Sequence, residues 1–135
     1  MKSGSINHIG IATLSLDDAE QIWSLLGFTS TSDELIEDQG VVVRYMKGSG
    51  NTNIELLEPI SNDSPVSKFI ESRGIGIQQI AINVENINSK IVELKNKGFR
   101  MINDEAIPGS DGKLVAFVHP SSCGGVLVEL VENNT

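Results

Sequence analysis

Four polar side chains recur at equivalent places in a chain that repeats itself, and their types suit a metal ion. His8 and Gln79 stand 71 positions apart, each near the start of a short alternating segment; Glu55 and Glu129 stand 74 apart, each inside a later apolar one. Taken singly, any of them fits a strand residue facing water. Four at equivalent positions, two of them carboxylates among apolar neighbours, argue for more, because a buried carboxylate is costly unless it meets a cation or hydrogen-bond donors. An imidazole, two carboxylates and an amide oxygen form a hard, mixed N/O donor set. It suits Mn, Co, Ni, Zn or Fe, with two negative charges balancing a divalent ion. Four protein ligands on a six-coordinate ion would leave two positions for a chelating substrate.

The elements that must position these residues also come in pairs. His8-Ile9-Gly10-Ile11-Ala12 opens a stretch ending at Leu26-Gly27-Phe28, and Gln79-Ile80-Ala81-Ile82-Asn83 opens one ending at Lys97-Gly98-Phe99. Modules of this size cannot bury a core alone, so a pseudo-twofold domain is expected. In the first half a strand near Ile6 to Ala12 precedes a helix. A Ser15/Asp18 capping box starts this helix, Ala19, Ile22, Trp23 and Leu26 give its spacing, and Gly27 closes it. Strands follow around Phe28 to Asp33, Val41 to Met46 and Asn53 to Leu57, the last two joined by a hairpin at Gly48-Ser49-Gly50-Asn51.

Ser64 caps a connector helix over about 64–73, with Pro65 in its first position and Val66, Phe69 and Ile70 as its apolar stripe. The second half repeats the order. A strand from Ile77 to Val84 leads to an Asn86-capped helix with Ile87, Ile91 and Leu94 inward. Strands near Arg100 to Asn103, Leu114 to His119 and Val126 to Val131 complete the half. The expected class is α+β: one domain over 1–135, two tandem βαβββ modules (1–60 and 76–135), and a cup-shaped eight-stranded mixed sheet with helices outside.

Alternation decides the faces. Ile9 and Ile11 oppose His8, Ile54 and Leu56 oppose Glu55, Ile80 and Ile82 oppose Gln79, and Val128 and Leu130 oppose Glu129. Each half thus has an apolar face for its helix and a second face carrying the polar pair. If the two sheets curve together, all four polar residues line one cup.

Bulk properties narrow the partners. The 135 residues carry a formal net charge of -8, which disfavours nucleic acid and anionic membranes. A polyanionic ligand would need a local basic patch, for which Lys47, Lys95, Lys97, Arg100 and Lys113 are the candidates. No apolar run approaches the roughly 20 residues that cross a bilayer, and no signal peptide is visible. The single cysteine, Cys123, fits a reducing compartment and a passive thiol. A cytoplasmic protein is expected. His119, before Pro120, is assigned a structural turn, and Trp23 a core or dimer contact.

The sequence resembles the vicinal oxygen chelate (glyoxalase/bleomycin resistance/dioxygenase) superfamily, whose paired βαβββ modules form a metal-bearing cup. Within it the methylmalonyl-CoA epimerase family is most similar, over nearly the whole chain. The carriers are His8-Ile9-Gly10-Ile11-Ala12, Asp38-Gln39-Gly40-Val41, Glu55-Leu56-Leu57-Glu58-Pro59, Asp63-Ser64-Pro65, Gly76-Ile77, Gly112-Lys113 and Val115-Ala116-Phe117-Val118-His119-Pro120. The run Gly124-Gly125-Val126-Leu127-Val128-Glu129-Leu130 is the most specific.

The resemblance implies metal ligation by His8, Glu55, Gln79 and Glu129. It departs from the family at Gln78-Gln79, where two histidines are usual, and at Val41-Val42-Val43, where some bacterial members carry a carboxylate base. Asp111 also stands where relatives often have histidine. The implied reaction is racemisation of a 2-acyl-CoA through a metal-stabilised enolate. Glu129 serves as ligand and base, Glu55 or a metal-bound water is the candidate for the second acid/base, and a homodimer is expected. A glyoxalase I-like lactoylglutathione lyase would use the same ligand logic. A non-catalytic small-molecule-binding member would follow if glutamine had cost the site its metal. A ring-cleaving dioxygenase fits less well, since its iron sites use two histidines and one carboxylate, and His119 lies outside the four positions.

Overall fold

A computed structural model describes residues 3–133. It divides into two compact units, His8–Gln78 and a second made of Met1–Asn7 with Gln79–Thr135. The first unit follows the order β1 (Ile6–Ala12), α1 (Leu16–Leu25), β2 (Thr29–Ile36), β3 (Val41–Lys47), β4 (Asn53–Pro59) and α2 (Pro65–Arg73). The second follows β5 (Gly76–Val84), α3 (Ile87–Asn96), β6 (Ile107–Pro108), β7 (Leu114–Val118) and β8 (Leu127–Glu132). The strand order is β2-β3-β4-β1 in the first unit and β5-β8-β7-β6 in the second. The first and last strands of each pair in parallel, β1 with β4 and β5 with β8, and the other neighbours are antiparallel. Eight strands, mixed pairing and helix–strand repetition make this the expected α+β fold.

Each unit packs its long helix on the face that alternation assigned to it. In the first, Met46, Ile54 and Leu56 pack with Leu16, and Ile9, Ile11, Ala19, Trp23 and Phe28 close around them. In the second, the fully buried Ile87 and Ile91 of α3 meet Ala116, Val118 and Leu130. Burying side chains of this size contributes about 1.5–3 kcal/mol each. The opposite face of the first sheet carries Ala12, Ile36, Val41, Val43 and Leu57, against which Val66, Phe69 and Ile70 of α2 pack. The expected stripe on α1 shifts, however. Leu16, Ala19 and Trp23 face the sheet, whereas Ile22 and Leu26 are exposed.

The helix starts show a second repeat. Ser15 and Asn86 cap α1 and α3, their side chains accepting from the N–H groups of Asp18 and Ser89. Glu58 Oε1 accepts the Leu16 N–H at 3.0 Å and Glu132 Oε2 accepts the Ile87 N–H at 3.1 Å. A carboxylate at the end of each unit's parallel partner strand thus satisfies a donor at the positive end of that unit's helix. The Ser15 N–H donates to Thr13 Oγ1 at 3.2 Å, so Thr13 takes the part that the capping box gave to Asp18.

One expected strand is absent. Arg100 to Asn103 forms a single bridge, Met101 opposite Val118. The Asn103 side chain accepts the Phe117 N–H at 2.8 Å, which replaces a backbone ladder bond and releases the chain from β7. The edge of this sheet is instead the two-residue β6. In the Gln39-Gly40-Val41 motif, Gly40 is fixed on two counts. Its φ is 62°, and a Cβ there would lie 2.7 Å from Ser64 Cβ, the residue that caps α2.

Candidate functional site

β1 and β4 bring His8 and Glu55 together through a register that a small residue makes possible. Gly10 stands opposite Glu55 in the parallel pair. Having no side chain, it lets His8, two residues earlier on the same face, reach across. His8 Nδ1 lies 3.1 Å from Glu55 Oε2, and both side chains are buried. The second unit reproduces the arrangement. Ala81 stands opposite Glu129, and Gln79, two residues earlier, donates from Nε2 to Glu129 Oε1 at 2.6 Å. Gln79 is 6% exposed and Glu129 3%, so this carboxylate sits away from water beside a neutral amide.

Each sequence-assigned residue therefore lies on the expected face and is paired within its own unit. The chemistry of the donors fits a divalent cation. Two ligands about 2.1 Å from one ion and at right angles are about 3 Å apart, close to the His8–Glu55 separation. The Gln79 amide group turns its N–H toward Glu129, which leaves its carbonyl oxygen as the ligand-type atom. The first unit supplies one imidazole and one carboxylate, the second one carboxylate and one amide. Among the described residues no group of three or more His, Cys, Asp or Glu side chains gathers around one point.

The first sheet also holds a pair that the sequence analysis missed. The Tyr45 hydroxyl donates a hydrogen bond to Glu34 Oε1. Tyr45 on β3 stands opposite Glu55, and Glu34 on β2 stands opposite Val43. Alternation in Val41, Val43 and Tyr45 was the available signal, as was Glu34 two residues before the apolar Ile36. A carboxylate thus reaches the sheet face through β2, although Val41-Val42-Val43 has none.

The remaining singled-out residues have structural roles. His119 Nδ1 accepts the Ser121 N–H at 3.0 Å and caps the turn after β7. Trp23 meets Phe28 edge-on, 5.9 Å between ring centroids. Burial pushes the Cys123 thiol above its usual value, away from thiolate reactivity. Lys95, one of the basic-patch candidates, is bound to Asp104 at 2.8 Å. Asp111 takes a left-handed turn with φ 58°. A cleft of about 320 Å³ lies on the helix side of the first unit, between Ile11, Ala19, Ile22, Trp23 and Ile75, away from the His8–Glu55 face.

Residues 7–117 match the family model of the glyoxalase/bleomycin resistance protein/dioxygenase superfamily. The chain is 39% identical over 129 residues to the mitochondrial methylmalonyl-CoA epimerase of Homo sapiens, covering 94% of this chain and 73% of that one. It is 37% identical to an ethylmalonyl-CoA/methylmalonyl-CoA epimerase of Cereibacter sphaeroides, covering 94% and 96%. Among solved structures, methylmalonyl-CoA epimerase from Mycobacterium tuberculosis superposes with a TM-score of 0.89 at 33% identity, over 94% of this chain and 86% of that one. A methylmalonyl-CoA epimerase in complex with methylmalonyl-CoA and NH4+ superposes with a TM-score of 0.88 at 35% identity, covering 95% and 93%.

Proposed function

Because the chain belongs to the glyoxalase/bleomycin resistance protein/dioxygenase superfamily, and within it to the methylmalonyl-CoA epimerases, we propose that it epimerises a 2-acyl-CoA of the methylmalonyl type at its α-carbon. The observation that carries this reading is the pairing of His8 with Glu55 and of Gln79 with Glu129, at equivalent places in the two units. These four residues are the proposed ligands of one divalent ion. When bound, the ion supplies Lewis-acid stabilisation of the charge that develops on the thioester oxygen.

The residues carry the rest. Glu129, held by the Gln79 amide, takes the α-proton on one face; as a buried carboxylate it is poorly solvated and geometrically fixed. His8 Nδ1 and Glu55 Oε2, 3.1 Å apart, are the donor atoms that the first unit offers the ion. The same donor set would serve a glyoxalase I-like lyase, and the epimerase relatives favour the first reading. Which metal occupies the site is left to the donor chemistry, which admits Co, Mn, Ni, Zn or Fe.

Among the described residues no helix is long and apolar enough to cross a membrane. The lone cysteine supports the cytoplasmic assignment. Homodimerisation remains the proposal for the quaternary state. Ile22 and Leu25 of α1, with Leu26 just after it, offer exposed apolar surface for it.

Metal analysis tests the four-residue site. One equivalent of Co or Zn per chain is expected in reconstituted protein, lost alike in Glu55→Ala and in Glu129→Ala. Retention of the full equivalent in either variant would show that the two units do not share one ion.

A further inference from the structure

We propose that Tyr45, with Glu34 behind it, is the second acid/base of the reaction. The assignment rests on the epimerase reading. Inversion at an α-carbon removes a proton from one face and delivers one to the other, so a second proton carrier is required. β3 supplies no carboxylate at Val41-Val42-Val43.

The register places a substitute. Tyr45 and Glu55 are Cα partners in the antiparallel β3/β4 pair, and opposite residues of such a pair project from the same face. Glu34 is the Cα partner of Val43, which shares a face with Tyr45 by alternation. The Tyr45 hydroxyl, bonded to the Glu34 carboxylate, therefore stands on the sheet face that carries His8 and Glu55. Beside it on that face Ala12, Ile36, Val41, Val43 and Leu57 form an apolar cluster with Val66 of α2. β2 adds a second sign. Thr29 to Asp33 and Leu35 are exposed, whereas Glu34 turns inward and is half-buried.

The step balances within the pair. As the Tyr45 oxygen takes the α-proton, its own proton passes to Glu34, and the C–H electron pair enters the enolate. The phenol is regenerated and Glu34 ends as the carboxylic acid. In the reverse direction Tyr45 gives its proton to the carbon and recovers one from Glu34. Tyr45 is the catalytic residue, and Glu34 acts through it as the relay partner.

Epimer-resolved exchange in D2O tests the assignment, with (2R)- and (2S)-methylmalonyl-CoA followed separately by mass and by chirality. Wild type should exchange and interconvert both. In Tyr45→Phe and Glu34→Gln, epimerisation should fall about 100- to 10,000-fold. One epimer, the one whose proton Glu129 handles, should go on exchanging at C2 without inversion, at a rate within about tenfold of wild type. That surviving half-reaction also shows the variants to be folded. Epimerisation within about threefold of wild type in both variants would overturn the proposal. So would equal loss of exchange from both epimers in variants with an unchanged near-ultraviolet circular dichroism spectrum. No exchange from either epimer with metal-loaded wild type would instead overturn the epimerase reading beneath it.

Discussion

Gln79 Nε2 lies 2.6 Å from Glu129 Oε1, in the place that the first unit fills with His8 and Glu55 at 3.1 Å. The two units thus build the same buried pair from different chemistry, an imidazole with a carboxylate in one and an amide with a carboxylate in the other. An amide oxygen is a weaker donor than an imidazole nitrogen toward the transition metals, but it leaves the charge balance of the set unchanged.

The metal should feel that difference directly. Gln79→His is expected to tighten Co or Zn binding by about tenfold, and Gln79→Ala to weaken it by about 10- to 100-fold, since Glu129 then loses the group that orients it. Calorimetric titration of metal-free protein reads both. Equal affinities across wild type and the two variants would remove Gln79 from the ligand set.

Glu58 and Glu132 offer a test independent of catalysis. Each accepts the first N–H of a helix from the end of a strand, at 3.0 and 3.1 Å. Glu58→Ala and Glu132→Ala should each cost about 1 kcal/mol in urea denaturation. Because they serve different helices, the losses should add to within about 0.5 kcal/mol in the double variant. A neutral result at either site would mean that water replaces that cap without loss.

The first unit should also lose a little stability in acid. The Arg44 guanidinium bonds Asp33 through Nε at 2.8 Å and Nη2 at 2.9 Å, and reaches Asp17 at 2.7 Å, tying β2 and α1 to β3. Its hydrogen bonds hold the Asp33 carboxyl below the usual 3.8. A carboxyl whose folded value is depressed stabilises fully above its unfolded value. That stabilisation is lost as pH falls through the lower, folded one. The Asp33 side chain is 40% exposed, so solvent screening limits the effect to roughly 0.5 kcal/mol. Asp33→Asn should be less stable than wild type by that amount at pH 7, with the difference vanishing once pH falls below both values. A difference that persists in acid would assign it to packing rather than charge.

The legible part of this molecule is the part that its repeat and its alternation encode. His8, Glu55, Gln79 and Glu129 stood out because polar residues at equivalent positions of apolar strands are costly to keep, and the structure buries all four. The caps at Ser64 and Asn86 were equally plain, since serine and asparagine before an apolar period have few other uses. Glu34 and Tyr45 escaped because their meeting depends on the β2/β3 register, which shifts between Ser30 and Asp33. Periodicity fixes a residue's face but not its cross-strand neighbour. Arg100 to Asn103 read as a strand and is not one, because a single side chain, Asn103, takes the hydrogen bond that a strand would make with its backbone. Thr13 and Glu58 at the start of α1 are likewise contacts that local spacing does not reveal.

The proposed chemistry is proton abstraction at the α-carbon by a carboxylate at a metal-dependent site. Solvent deuterium exchange at C2 of methylmalonyl-CoA measures it, with metal-free protein and then with Co, Mn, Ni or Zn restored. Exchange should appear only with metal, and from the epimer whose proton Glu129 takes it should fall about 100- to 10,000-fold in Glu129→Gln. No exchange with any of these metals, in protein whose circular dichroism shows it folded, would contradict the account.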